Sequence, residues 1–195
     1  MAKSVRWTVV DLERIPEDGK LREIIDGELF VSTQPQNDHQ VTCLNVSFAL
    51  KSWNDQGGLG VVIPSPGVIF SPEDAVAPDV TWISHSRLAG QQDRAGHLRV
   101  APDLVVEVVS PGPENERRDR AAKLALYGRR GVSEYWILDW RHRQVEVYRR
   151  AGDALVFARL LAEADEIESA ILPGFRCPVS QFFVGVPVVT VGDST

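Results

Sequence analysis

One segment constrains this chain more than any other: PDLVVEVVS, residues 102–110. A run so nearly continuous in leucine and valine reads as a central strand covered on both faces. Such a strand demands a layered α/β architecture around it. Alternation places Val105, Glu107 and Val109 on one face, and Leu104, Val106 and Val108 on the other. Glu107 therefore points into apolar surroundings. A carboxylate buried alone takes up a proton unless a cation or strong hydrogen bonds hold it. A salt bridge to an arginine at the sheet rim is the plain alternative, and the flanking valines weigh against it.

The remainder of the chain supplies the layers. Asp26-Gly27 between LREIID and ELFVST is a hairpin-turn signal. Asn37 or Asp38 can cap a helix over His39–Trp53, which stops before Gly57-Gly58. Its face of Val41, Leu44 and Phe48, widened by Val46, Ala49, Leu50 and Trp53, predicts a well-buried helix. GVVIPSPGVIF and AVAPDVTWIS read as strands, and residues 85–100 as a loop with one helical turn. A second helix spans 117–130, ended by Arg129, Arg130 and the cap Gly131. Its packing face is read as Ala121, Leu124, Ala125 and Gly128, leaving Asp119, Lys123 and Tyr127 as an outer stripe. SEYWILDW and QVEVYRR form a second hairpin, one or two further strands follow, and GVPVVTVGDST is a tail. The expected fold is mixed α/β (α+β), a central sheet flanked by helices with an N-terminal hairpin. It is read as one domain over 1–195, with a core of about 21–150 and C-terminal strands and tail over about 151–195.

Composition sets the outer bounds. Of the 195 residues, 44% are hydrophobic and 25% charged, as in ordinary globular domains. No apolar run approaches a membrane span, and no signal-peptide core is visible. Cys43 and Cys177 stand far apart and imply no disulfide framework. A cytoplasmic protein without membrane attachment is expected. The net charge of −6 is the wrong sign for bulk attraction to nucleic acid. One local exception is residues 116–131, with six Lys or Arg against two acids.

Two further residues join Glu107. Asp79 follows Pro78 in what reads as a strand, on the face of Ala77, Thr81 and Ile83, where aspartate is disfavoured. A bulge at such a Pro can aim a carboxylate at its neighbour strand, and a simple turn at the strand entrance is the alternative. Lys123 lies four residues after Asp119, a spacing that also suits an ordinary surface pair. Together, two carboxylates can hold Mg²⁺ (or Mn²⁺), a hard cation with oxygen ligands, while a lysine orients or activates water for phosphodiester hydrolysis. The set suits zinc poorly. His39 and Glu28 are accessory candidates. Asp103, about 13 Å along the strand from Glu107 at ~3.3 Å per residue, is a weak co-ligand. His85, His97 and His142 read as surface residues, Asp139 as a turn former, and Trp82, Tyr135 and Trp136 as core or interface aromatics.

Pro78-Asp79, the Glu107 strand and the Lys123 helix resemble, in that order, the PD-(D/E)XK nuclease superfamily. IIDGEL, His39, APDV, PDLVVEVVSP, GVSEYWILD and QVEVYR more closely resemble its restriction-endonuclease family once catalogued as a domain of unknown function. The resemblance runs from about Leu21 to Arg150. It implies Mg²⁺-dependent cleavage of nucleic acid, DNA before RNA, often by homodimers, with Asp79 and Glu107 at the metal and Lys123 catalytic. In the superfamily pattern a lysine stands two residues after the acid; here that position is Val109, so the resemblance assigns the role to Lys123. Two other readings stay open: a catalytically inactive binding or assembly relative, and a metal-free hydrolase using Asp79 and Glu107 as an acid–base pair.

Overall fold

Asp26 and Gly27 both adopt positive φ, 52° and 75°, the backbone of a type I′ turn. They join β1 (Leu21–Ile25) to β2 (Glu28–Ser32) as an antiparallel hairpin. The structure, a computed structural model, describes residues 6–187, so the tail expected at 185–195 lies outside it from residue 188 onward. A short helix, α1 (Val9–Leu12), precedes the hairpin.

The first long helix, α2, runs over Asn37–Gly57 and ends at the left-handed Gly58. It outlasts the expected end at Trp53 because Asn54 is buried and stitches the last turn to the next strand. Its amide donates to Gly60 O, and its carbonyl accepts from Gly60 N and Trp82 Nε1. The N-cap is Gln36, without a side-chain capping bond, so neither Asn37 nor Asp38 has that part. The expected apolar face is found in part: Val46 and Leu50 are buried as expected. Leu44 and Phe48 are 67% and 72% exposed, while Cys43, Val46 and Leu50 face the core.

The two strands expected next are four: β3 (Gly60–Pro64), β4 (Val68–Ser71), β5 (Asp74–Val76) and β6 (Val80–Ser84). One turn of helix, α3 (His85–Leu88), opens the following loop, and β7 (Leu104–Val108) is the apolar run, every residue buried. A helical stretch follows in three pieces: α4 (Pro113–Arg117), a π-turn (Arg118–Lys123) and α5 (Leu124–Arg130). Then come β8 (Glu134–Asp139), β9 (Gln144–Ala151) and β10 (Ala154–Ala162). The closing segment holds β11 (Glu166–Glu168), β12 (Arg176–Pro178) and a 3₁₀ turn (Val179–Phe183).

The large sheet has the order β10-β9-β8-β7-β6-β3, and its one parallel pair is β7–β8. A parallel pair needs a crossover, and the helical stretch 113–130 provides it. A smaller sheet, β2-β1-β5-β4, packs beside that stretch. Leu104, Val106 and Val108 face α2 and the closing segment, while Val105 and Val109 face α5 and the small sheet. The alternation read from PDLVVEVVS is the one observed, and Glu107 lies on the side of the broken helix. The expected mixed α+β sheet flanked by helices is the architecture found.

Candidate active site

Asp79 owes its place to Pro78. The chain leaves the small sheet at Val76 and enters the large one at Val80, so Asp79 stands in the crossover between them rather than inside a strand. Pro78 has no amide proton to extend a ladder, and the β6–β7 pairing stops at Val80↔Val106. Val108 N–H donates instead to Asp79 Oδ2 at 2.8 Å. His39 Nε2, from the first turn of α2, lies 3.3 Å from the same oxygen.

Glu107 meets the helical stretch. Lys123 Nζ and Tyr127 Oη both donate to Glu107 Oε1, at 2.9 and 2.8 Å. The outer stripe expected of Asp119, Lys123 and Tyr127 is therefore the inner one; all three are fully buried, while Ala121 and Ala125 are exposed. The reason is polar pairing, which outweighs the small apolar area of two alanines. A π-turn inserts a residue into the helical repeat and re-aims side chains across it, often at functional sites. Here it spans the three buried ionic residues Arg118, Asp119 and Lys123. Arg118 donates to Asp119 at 2.7 Å, so the Asp119–Lys123 spacing is no surface pair.

Glu23 was not singled out from the sequence. It sits on β1, buried, with Oε1 2.9 Å from Lys123 Nζ and accepting the Ala77 amide at 2.9 Å. The signal was available: alternation places Glu23 on the face of Leu21 and Ile25, a carboxylate among apolar residues, as at Glu107.

These groups wall a cavity of ≈ 130 Å³ lined by Glu23, His39, Asp79, Glu107, Arg118 and Lys123. A larger groove, ≈ 690 Å³, runs along the small sheet; Arg22–Asp18 and Arg99–Asp93 pair within it. In the small cavity three carboxylates, Glu23, Asp79 and Glu107, meet two permanent cations, Lys123 and Arg118, and a fourth carboxylate, Asp119, pairs with Arg118 behind the wall. Burial pushes the Glu107 carboxyl well above its ordinary value; Lys123 opposes this, and Asp79, Asp119 and Glu23 reinforce it. Burial likewise raises Asp119. Burial would raise Asp79 too, but His39, Lys123 and the Val108 amide hold it below the usual carboxylate range. Lys123 keeps its proton firmly: burial disfavours the charge, yet Glu107, Glu23 and Asp119 outweigh it.

The donor set fits a hard divalent cation. It is rich in carboxylate, and among the described residues Asp79 Oδ1 and Glu107 Oε2 accept no hydrogen bond. His39, Cys43 and Asp79 also bring ligand atoms within 4.8 Å of one another. Burial, with Asp79 and Glu107 nearby, pushes the Cys43 thiol far up.

Other candidates fall elsewhere. Glu28 is exposed and pairs with Arg117 at 2.6 Å, outside the cavity. Asp103 accepts Ser84 N–H at 2.8 Å and pairs with Arg87 at the far end of β7. His97 and His142 lie beside Asp93 and Asp139, and His85 is exposed. Asp139 accepts the amides of Arg141 and His142 in the β8–β9 turn. The basic stretch 116–131 has no unpaired cation: Arg117 meets Glu28, Arg118 Asp119, Arg120 Glu146, Lys123 Glu107, Arg129 Asp26 and Arg130 Asp74.

Residues 9–180 match the model of the family described as "Uma2: Putative restriction endonuclease". No curated protein matches the chain. Among solved structures, "a putative nuclease belonging to DUF820 from Anabaena variabilis ATCC 29413" superposes with a TM-score of 0.72 at 16% identity, covering 91% of this chain and 97% of that one. At that identity the likeness is one of fold. No described helix is long and apolar enough to cross a membrane.

Proposed function

We propose that this chain, which belongs to the Uma2 family of restriction-endonuclease-like proteins, is a metal-dependent endonuclease that hydrolyses phosphodiester bonds of DNA. The observation that carries the reading is the 2.9 Å contact of Lys123 with Glu107 on the wall of the cavity that Asp79 also lines. Asp79 and Glu107 would hold Mg²⁺ or Mn²⁺. When bound, such an ion supplies charge neutralisation at phosphorus and an activated water.

The protein groups divide the remaining work. Lys123, kept protonated by its carboxylate neighbours, presents positive charge toward the cavity, where charge grows on the phosphoryl oxygens. Tyr127 fixes Glu107 from the side, and His39 with the Val108 amide fixes Asp79. Val109, where the superfamily pattern has its lysine, is buried in the apolar core. The helical Lys123 reaches the same carboxylate from the next element. DNA as substrate follows from family likeness, an associational warrant.

A binding module without catalysis is the second reading. It is favoured by Val109 and by the internal pairing of the cations in 116–131. Incubation of supercoiled plasmid with Mg²⁺ or Mn²⁺ separates the two, comparing wild type with Glu107→Ala and Lys123→Ala. The proposal expects nicking by wild type alone. Equal nicking by all three would point to a contaminating nuclease and remove its support. DNA binding without nicking would leave the second reading.

A further inference from the structure

We propose that Glu23 is a positioning residue of this site, holding the Lys123 ammonium toward the cavity and fixing the segment that carries Asp79. The proposal rests on the nuclease reading above and names a residue which that reading does not use.

Glu23 alone among the cavity's acids comes from the small sheet. Its Oε1 lies 2.9 Å from Lys123 Nζ and takes the Ala77 amide, two residues before Asp79, at 2.9 Å. One oxygen thus ties together the lysine and the crossover between the sheets. An ammonium has three N–H donors and no acceptor. Glu107 Oε1 accepts one of them at 2.9 Å, Glu23 Oε1 pairs ionically with the ammonium at 2.9 Å, and Asp119 Oδ1 lies 3.9 Å away. The ammonium is thus held between two carboxylates from different elements, and Lys123 lines the cavity.

The other oxygen makes the case against a plain structural staple. Glu23 Oε2 is buried and, among the described residues, has no hydrogen-bond partner, with Arg118 Nε 3.7 Å away. A staple between two sheets gains nothing from an orphaned carboxylate oxygen, which burial disfavours. Placed beside Lys123 and Arg118, this carboxylate holds both cations at the cavity wall.

The chain has four lysines, Lys3, Lys20, Lys51 and Lys123. The Nζ resonance of Lys123 can therefore be assigned in ¹⁵N-lysine-labelled, metal-free protein by its loss in Lys123→Arg. The expected wild-type signal is a slowly exchanging ammonium. In Glu23→Gln it is lost to exchange as rapid as that of exposed lysines, and in Glu23→Asp, which keeps the charge, it is shifted but present. In plasmid cleavage Glu23→Gln is expected to lower kcat about 10- to 100-fold with KM little changed, as for a displaced supporting partner.

An unaltered Lys123 signal in folded Glu23→Gln would overturn the proposal, and so would a change in KM alone. If Glu23→Gln does not fold, an unshifted signal in Glu23→Asp overturns it equally. Absence of cleavage by wild type would instead defeat the nuclease reading, while the ammonium signal would still decide whether Glu23 holds Lys123.

Discussion

The two faces of β7 are equally buried and chemically opposite. On one, Leu104, Val106 and Val108 join Val46 and Leu50 of α2, Trp136 and Leu138 of β8, and Phe175, Phe182 and Phe183 of the closing segment. On the other, Val105 and Val109 bracket Glu107, and within one helical stretch lie Arg118, Asp119, Lys123 and Tyr127. The first face is a dry core whose stability comes from area and close packing. The second buries more carboxylate than it neutralises, an arrangement that apolar residues of similar volume would often match or better in stability. One strand thus carries a face that holds the fold together and a face kept for chemistry, and substitutions should separate the two.

The largest separation is expected at Glu107. Glu107→Ala should lower metal-dependent cleavage by about 10³-fold, the equivalent of ~4 kcal/mol at the transition state. The chain should still fold, because Glu23 and Asp119 continue to neutralise Lys123; circular dichroism beside the cleavage assay checks both halves.

Stability effects come next. Lys123→Met leaves buried carboxylates with Arg118 as the remaining permanent cation, and breaking a buried pair in this way costs about 3–5 kcal/mol. Trp136→Ala, on the dry face, should cost a similar ~3–5 kcal/mol through loss of packing. The two differ in a second measurement, since Mn²⁺ affinity should survive Trp136→Ala in the folded protein. Urea unfolding with and without Mn²⁺ distinguishes them, and an equal loss of metal-linked stabilisation in both would erase the proposed division of the faces.

A smaller effect concerns pH. Burial holds the Glu107 proton more tightly in the folded chain than in the unfolded one. Its contribution to stability is therefore complete below pH about 4.5, the ordinary value, and declines as pH rises through the raised folded value. In chelator-treated protein, Glu107→Gln should flatten the fall of Tm toward alkaline pH. Parallel curves for variant and wild type would contradict the buried, proton-holding carboxylate.

The smallest effect is expected at Phe48. Although apolar, it is 72% exposed, and Phe48→Ser should change stability by no more than about 0.5 kcal/mol.

Phe48 also shows where sequence reasoning reached its limit. Both helices were legible as elements, but the face each one buries was not. On α2 the apolar count favoured Leu44 and Phe48 beside Val46 and Leu50, whereas the chain buries Val46 and Leu50 together with His39, Thr42, Cys43 and Asn54. On the second helix the apolar residues were assigned to the core, and the buried stripe is Asp119, Lys123 and Tyr127. His39 on the first helix and Lys123 on the second find partners from distant segments, Asp79 and Glu107, which periodicity cannot see. Glu107 was legible because its neighbours on the strand are all apolar. Asp79 was legible as a residue of interest but misplaced, since Pro78 marks a change of sheet rather than a bulge. Glu23 carried the same signal as Glu107 in a shorter run. The π-turn has no evident signature in RDRAAK.

The most direct test of the account is a calorimetric titration of Mn²⁺ into wild type, Asp79→Asn and Glu107→Ala. The account predicts one bound ion in wild type, weakened by about tenfold or more in each variant. Equal affinity in all three proteins, or no binding by wild type, would contradict it.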